Sequence, residues 1–326
     1  MPARPEQEAP QRITITAPAR LHLGFFDLGT TRNRRFGGMG VGLDEIRTRI
    51  EVTPATAWSA EGQGAERALH LAQKVAQILS LPGGAHIRLL ESIPEHAGLG
   101  SGTQLTLAVG LATARLYGQT QSVRELATLL DRGARSGIGI GVFEQGGLIV
   151  DGGRGSSTLV PPLLSRMEIP DAWRFLLVLD ERDQGLSGSG EVSAFKNLPE
   201  FPESLAAHIC HRVLMQALPA VAEKQLAAFG AAISEIQTVI GDHFAPAQGG
   251  GRYTSTDVEH ALQVLEQSGA TAIGQSSWGP TGFCMVATPE QAQMLLQQVQ
   301  IRFADKPHLR FMLASARNRG AEIMMY

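Results

Sequence analysis

The stretch Pro94-Glu-His-Ala-Gly98-Leu99-Gly100-Ser101-Gly102-Thr103-Gln104 decides how this chain is read, because a Gly-Leu-Gly-Ser turn runs directly into a helix of small and apolar residues. Gly98, Gly100 and Gly102 carry no Cβ, so the backbone can approach an anion closely and turn its N–H groups toward it. Ser101 adds a hydroxyl where the open helix end and its dipole already favour negative charge. Leu105, Val109, Leu111, Ala112 and Leu116 then recur at roughly helical spacing, with no breaker before Gly118. The expectation is a phosphate cradle over Gly98 to Gln104. The plainer alternative is a glycine-rich turn with an N-capping serine. No Gly-x-x-x-x-Gly-Lys-Ser/Thr is present, and the Gly-x-Gly-x-x-Gly runs lack the strand, helix and acidic residue of a dinucleotide site.

Any such anion site must be local. Lys+Arg of 28 against Asp+Glu of 31 leaves a net charge of -3, so no basic field recommends nucleic acid as a partner. The 326 residues, 43% of them hydrophobic, suffice for a large core and favour two domains. Cys210 and Cys284 lie far apart in apolar surroundings, as expected of buried thiols in a reducing compartment. Residues 1–11 are polar and read as a disordered leader, not a signal peptide. No apolar run is expected to reach the roughly 20 residues that span a bilayer. No membrane partner and a cytoplasmic location follow as expectations.

Short apolar or alternating runs at residues 13–16, 21–25, 47–52 and 85–90 predict strands, and residues 65–79 and 123–131 predict helices. Residues 133–155 read as a glycine-rich passage enclosing one strand at 147–150. Pro161, Pro162 and Pro170 mark a break before the apolar strand 174–179. Beyond it come helices at 204–218, 221–240, 257–267 and 289–302, the third capped by Thr256 or Asp257, and strands at 270–273, 281–286 and 310–313. The class is α+β, with domains at residues 12–165 and 166–326. The 204–218 helix can serve a homodimer interface or the core.

Three ordered stretches, Ala17-Pro-Ala-Arg20-Leu, Pro94-x-x-x-Gly-Leu-Gly-Ser101 and Gln275-Ser-Ser-Trp-Gly-Pro-Thr-Gly282, resemble the motifs of the GHMP kinase superfamily across nearly the whole chain. The resemblance implies a ribosomal-protein-like N-terminal domain and a ferredoxin-like C-terminal domain, with phosphates on the glycine-rich loop between them. The departures matter for function. Such kinases continue the loop as Gly-Leu-Gly-Ser-Ser-Ala-Ala, whereas Gly102, Thr103 and Gln104 follow here, so a hydroxyl expected near Mg²⁺ is missing. Gly139 falls where mevalonate-type kinases place their catalytic Asp, and Arg20 where many have Lys. Phosphoryl transfer would lose its proton acceptor.

The stretches Ala19-Arg-Leu-His-Leu-Gly-Phe-Phe-Asp-Leu28, Phe36-Gly-Gly-Met-Gly-Val-Gly-Leu43 and Gly133-x-Arg135-Ser-Gly-Ile-Gly-Ile-Gly-Val-Phe-Glu-x-Gly-Gly147 resemble one non-kinase branch, the β-ribofuranosylaminobenzene 5′-phosphate synthases of tetrahydromethanopterin biosynthesis. That implies a pentosyltransferase joining phosphoribosyl pyrophosphate to 4-aminobenzoate or 4-hydroxybenzoate, with loss of carbon dioxide and pyrophosphate. Mg²⁺ would accompany the pyrophosphate, its ligands unassigned. An ATP-dependent small-molecule kinase and a non-catalytic phospholigand-binding protein remain the alternatives.

Arg20 and Arg135 are then candidate cations, and Arg32, Arg34 and Arg35 either join them or form a solvated surface. Asp27 and Glu144 are candidate catalytic carboxylates, with Asp180, Glu181 and Asp183 behind them. Asp27 is equally a turn residue and Glu144 a strand-edge carboxylate. His22 either faces the cleft as a substrate contact or is a hydrogen-bonded structural group. His96 precedes the loop as a phosphate donor or cap. Trp278 beside Gly279 either stacks on an aromatic substrate or packs in the core. The Gly185–Gly190 run reads as a loop near the cleft.

Overall fold

A computed structural model describes residues 10–29, 33–182, 194, 197–277 and 279–326. The disordered-leader expectation therefore falls mainly, and the Gly185–Gly190 loop wholly, outside the described residues. Two sheets organise the chain. The first has eight strands: β1 (Ile13–Asp27), β2 (Arg34–Ala55), β3 (Ser59–Glu61), β4 (Gly84–Glu91), β5 (Leu148–Asp151), β6 (Arg154–Gly155), β7 (Leu163–Met167) and β12 (Glu322–Met325). Its spine runs β12-β1-β2-β4-β3; β5 and β6 pair with β2, and β7 pairs with β5. The second runs β11-β8-β10-β9, from β8 (Arg174–Asp180), β9 (Thr271–Gln275), β10 (Thr281–Val286) and β11 (Leu309–Ser315).

Helices α1 (Ala65–Leu79), α2 (Ser101–Leu116), α3 (Val123–Leu129) and α4 (Ile138–Gln145) belong to the first half. The second carries α5 (Glu203–Arg212), a π turn (Val213–Ala217), α6 (Leu218–Ala222), α7 (Leu226–Phe244), α8 (Thr256–Gln267) and α9 (Pro289–Arg302). Period-2 alternation on β8 divides the cores. Phe175, Leu177 and Leu179 enter a core with Leu21, Leu23, Met39 and Val41 of the first sheet, while Leu176 and Val178 pack under α8 and α9. The first of these cores is common to both halves, so the two sheets are joined by buried apolar surface.

Several sequence expectations change. β1 is one strand where two runs were expected, since Pro18 sits at an irregularity: Pro18 pairs with Arg47 but Ala19 with Leu43. The final strand, β12, lies in the first sheet beside β1, although sequence order places it with the second half. The 133–155 passage contains α4. The break expected between residues 218 and 221 comes after Ala222, because the π turn takes up the strain before Pro219, which has no N–H to donate. Ser255, not Thr256 or Asp257, caps α8 by accepting from the Val258 N–H. Cys210 is exposed; only Cys284 is buried, its thiol pushed up to about 12 by desolvation.

By length and composition alone the helical stretch Glu203–Ala222 is apolar enough to cross a membrane, a test that packed core helices also pass. In the fold it is a packed helix: Ile209 and Ala217 are fully buried in the shared core, and Arg212 pairs with Glu235 at 2.9 Å. Leu214 and Met215 point outward.

Phe229, fully buried and stacked on Trp173 with ring centroids 5.6 Å apart, anchors the shared core. Phe229→Ala is expected to cost about 3–5 kcal/mol in urea unfolding; a loss below about 1 kcal/mol would mean that this core does not join the halves.

Candidate active site

The cleft forms where three distant segments meet at the carbonyl of Gly98. On β1, the Arg20 N–H donates to Leu99 O at 3.0 Å and the Arg20 guanidinium donates to Gly98 O. From beyond β9, the Ser276 hydroxyl donates to the same carbonyl at 2.8 Å and accepts from the His22 N–H at 3.0 Å. Thr281 of β10 donates to Ala97 O at 2.6 Å. Gly279 and Gly98 are glycines for this contact: a Cβ on Gly279 would lie 2.5 Å from Gly98 Cα, and one on Gly98 2.3 Å from Ser276 O. Gly98 also has φ +76°.

The turn ends at Gly100, which caps α2 with φ +81°, so Ser101 is the first helical residue and not the cap. Thr103 and Gln104 N–H groups donate to Gly100 O, both at 3.1 Å, leaving those of Ser101 and Gly102 at the open end of the helix. No acidic residue occupies the first turn. This end opens on a cleft of about 590 Å³, a size suited to a small-molecule ligand. Arg20, His22, Arg135 and Gly279 line it together with Gly98, Gly100, Ser101, Gly102 and Thr103. Leu99 and Gln104 are buried behind the loop. Gln104 donates to Gly139 O at 2.8 Å, tying α2 to α4.

Gly139 lines the same cleft, and a Cβ there would come within 3.1 Å of the Thr103 methyl. Thr103 therefore crowds the space that a side chain at residue 139 would need. The preceding turn is held by Asp151, which accepts from the Gly137 N–H at 2.8 Å and the Ser136 hydroxyl at 3.1 Å. Burial raises the Asp151 carboxyl, with these hydrogen bonds opposing.

The two carboxylates expected at the cleft are elsewhere. Asp27 accepts from the Gly29 N–H at 2.7 Å, a local turn at the end of β1, and Glu144 pairs with Arg124 at 3.0 Å. Neither lines the cleft. Asp180 is buried against Arg182 and Ser255, and Asp183 is outside the described residues. Arg34 donates to Gly152 O and Gly153 O, both at 2.9 Å, so it braces a loop. Arg35 donates weakly to Leu28 O at 3.4 Å. Arg32 and Trp278 lie outside the described residues. His96 lines the cleft, as do Arg67 and Arg132, which sequence reasoning did not single out. Both sit at helix ends, where a cation resembles an ordinary solvated residue.

The only carboxylate among the described lining residues, Asp131, pairs with Lys74 at 3.2 Å. The described lining residues thus offer no unengaged carboxylate to a Mg²⁺ ion. Asp180, Asp257 and His308 converge in the second half, but Arg182 and Lys306 already neutralise them.

These features match known sequences. Residues 65–147 match the GHMP kinases N terminal domain and residues 217–305 the GHMP kinases C terminal domain. The chain is 32% identical to beta-ribofuranosylphenol 5'-phosphate synthase of Archaeoglobus fulgidus, over 95% of its own length and 99% of that protein. The chain belongs to the GHMP kinase superfamily, in its β-ribofuranosylphenol 5′-phosphate synthase branch. The synthase of Methanothermobacter thermautotrophicus is 31% identical, over 82% of this chain and 87% of that one. Solved structures of the superfamily share the fold. Homoserine kinase from Cytophaga hutchinsonii aligns with TM-score 0.64 at 13% identity, covering 99% of this chain and 100% of that one. Mevalonate diphosphate decarboxylase from Staphylococcus aureus gives 0.67 at 17%, covering 96% and 98%.

Within this family fold His22 is buried, 2% exposed. Its Nδ1 accepts from the Gly24 N–H at 3.3 Å, so a neutral ring carries its proton on Nε2, which has no acceptor among the described residues. Burial, and secondarily Arg20, lower its pKa to about 3. An unfolded histidine titrates near 6.5, so below that pH the unfolded chain binds more protons than the folded one. Stability is complete above about pH 6.5 and falls as pH drops toward about 3. Between pH 7 and pH 5 this group alone is expected to remove about 2 kcal/mol. Urea unfolding of His22→Gln should show a pH dependence shallower by that amount; a slope equal to wild type would contradict the buried neutral ring.

Proposed function

We propose that the protein transfers a phosphoribosyl group from phosphoribosyl pyrophosphate to the ring carbon of a para-substituted benzoate, releasing carbon dioxide and pyrophosphate. The observation that carries this is the pairing of an intact phosphate cradle with Gly139 packed against Thr103. An alcohol must lose a proton to accept a phosphoryl group, and residue 139 offers no base. An aromatic acid loses carbon dioxide where a phenyl ring would lose a proton, so no base is needed at the reacting carbon.

The electrons balance without an oxidant. The C1′–O bond breaks and pyrophosphate leaves with its electron pair. A π pair of the ring, pushed by the para substituent, forms the C1′–C bond. The carboxylate carbon then departs as carbon dioxide, and its bonding pair restores the aromatic ring. The N–H groups of Ser101 and Gly102 take up charge developing on pyrophosphate, aided by the open end of α2. Arg20, tied to Gly98 O, holds the turn in place. The rest of the cleft orients the acceptor and excludes water. The relatives are named for a phenol, which favours 4-hydroxybenzoate over 4-aminobenzoate.

Incubation with phosphoribosyl pyrophosphate, Mg²⁺ and carboxyl-labelled 4-hydroxybenzoate should release labelled carbon dioxide. A Val at residue 102 would place its Cβ about where the Arg67 guanidinium lies, 2.7 Å away. Ser101→Ala combined with Gly102→Val is therefore expected to lower the rate at least ~100-fold. No release, with ADP formed from ATP and an alcohol, would return the chain to the kinases. Binding of phosphoribosyl pyrophosphate with no turnover of any kind would favour a non-catalytic binding protein.

A further inference from the structure

A donor with a pyrophosphate at one end and a phosphate monoester at the other needs two anion sites, and the α2 end supplies one. Two guanidiniums from different elements line the same cleft. Arg67, in the first turn of α1, reaches over the loop to within 2.7 Å of the place a Cβ on Gly102 would take. Its carboxylate neighbour, Glu95, lies 3.6 Å away with 43% of its side chain exposed, a loose and solvated pair.

Arg132 follows α3 on a turn set by Asp131, whose φ is +55°, and by its own N–H donating to Ala127 O at 2.7 Å. Its Nε is buried with no acceptor among the described residues. The adjacent Asp131 carboxylate is 87% exposed and turned to Lys74. Burial first, and Arg67 second, disfavour the Arg132 charge, with Asp131 opposing. Two like charges lining one cleft, one of them with its Nε buried and unsatisfied among the described residues, stand at a cost that an anion between them removes.

We propose that Arg67 and Arg132 form a second phosphate subsite, which takes the 5′-phosphate of the ribosyl donor while its pyrophosphate rests on the loop N–H groups. The proposal rests on the phosphoribosyl reading above. Guanidinium forks suit the three terminal oxygens of a phosphate monoester.

The test is calorimetric titration of wild type, Arg67→Met and Arg132→Met with ribose 5-phosphate and, separately, with inorganic pyrophosphate. Each substitution should weaken ribose 5-phosphate at least about tenfold and leave pyrophosphate within about threefold. Arg132→Lys should recover part of the loss. In turnover, KM for phosphoribosyl pyrophosphate should rise by a similar factor with little change in kcat. Without ligand, Arg132→Met should melt no lower than wild type, since a repelled charge has been removed. Loss of pyrophosphate binding in place of ribose 5-phosphate, or no effect on either, would overturn the subsite. Carbon dioxide release that persists beside either of those results would leave the overall reaction standing.

Discussion

Everything about the cleft depends on one backbone carbonyl. Gly98 O accepts from the Arg20 guanidinium on one side and the Ser276 hydroxyl on the other, while Gly279 packs against its Cα. A carbonyl so occupied fixes the start of the turn, and the turn fixes the direction of α2. The open N–H groups of Ser101 and Gly102 therefore face the cleft by construction. Because Ser276 and Gly279 come from the second half of the chain, the cleft is completed only when both halves are folded together. The shared core built from β1, β2, β8 and α7 does that folding work. Buried apolar surface supplies most of the stability, and the few polar contacts at Gly98 supply the register.

The same arrangement separates this chain from an alcohol kinase. Thr103 follows the loop on α2, Gly139 lies on α4, and Gln104 ties the two helices together beneath them. A cleft whose described residues include several guanidiniums, a single carboxylate already engaged by lysine, and a neutral buried histidine is poor in bases. It is suited to holding anions in place and stabilising charge as it develops on a leaving group. The reaction proposed above, with departure of pyrophosphate and carbon dioxide, demands little more.

Much of this was legible in the sequence. The limits of α1 and α9 were read correctly at residues 65–79 and 289–302, since α1 carries a clear apolar face and α9 opens on a capping Thr288 followed by Pro289. The loop and the start of α2 were legible because Gly98, Gly100 and Ser101 lead directly into an apolar run at helical spacing. α4 was not, because Gly139 and Gly141 weaken helix propensity. Tertiary packing overrides it, as a Cβ on Gly141 would meet Ile149 at 2.7 Å. Carboxylates were the hardest to assign. Nothing local shows that Glu144 is taken by Arg124, twenty residues earlier, or that Asp27 closes its own turn. Arg67 and Arg132 escaped notice because their shared position depends on how α1 and α3 pack around α2.

The most direct measurement is a crystal structure with phosphoribosyl pyrophosphate and benzoate, an acceptor without the para group that drives attack. The account predicts pyrophosphate oxygens within hydrogen-bonding distance of the Ser101 and Gly102 N–H groups, with the anomeric carbon facing the open cleft. Pyrophosphate bound away from the loop, or a ribose turned so that C1′ faces Gly139 and Thr103, would contradict it.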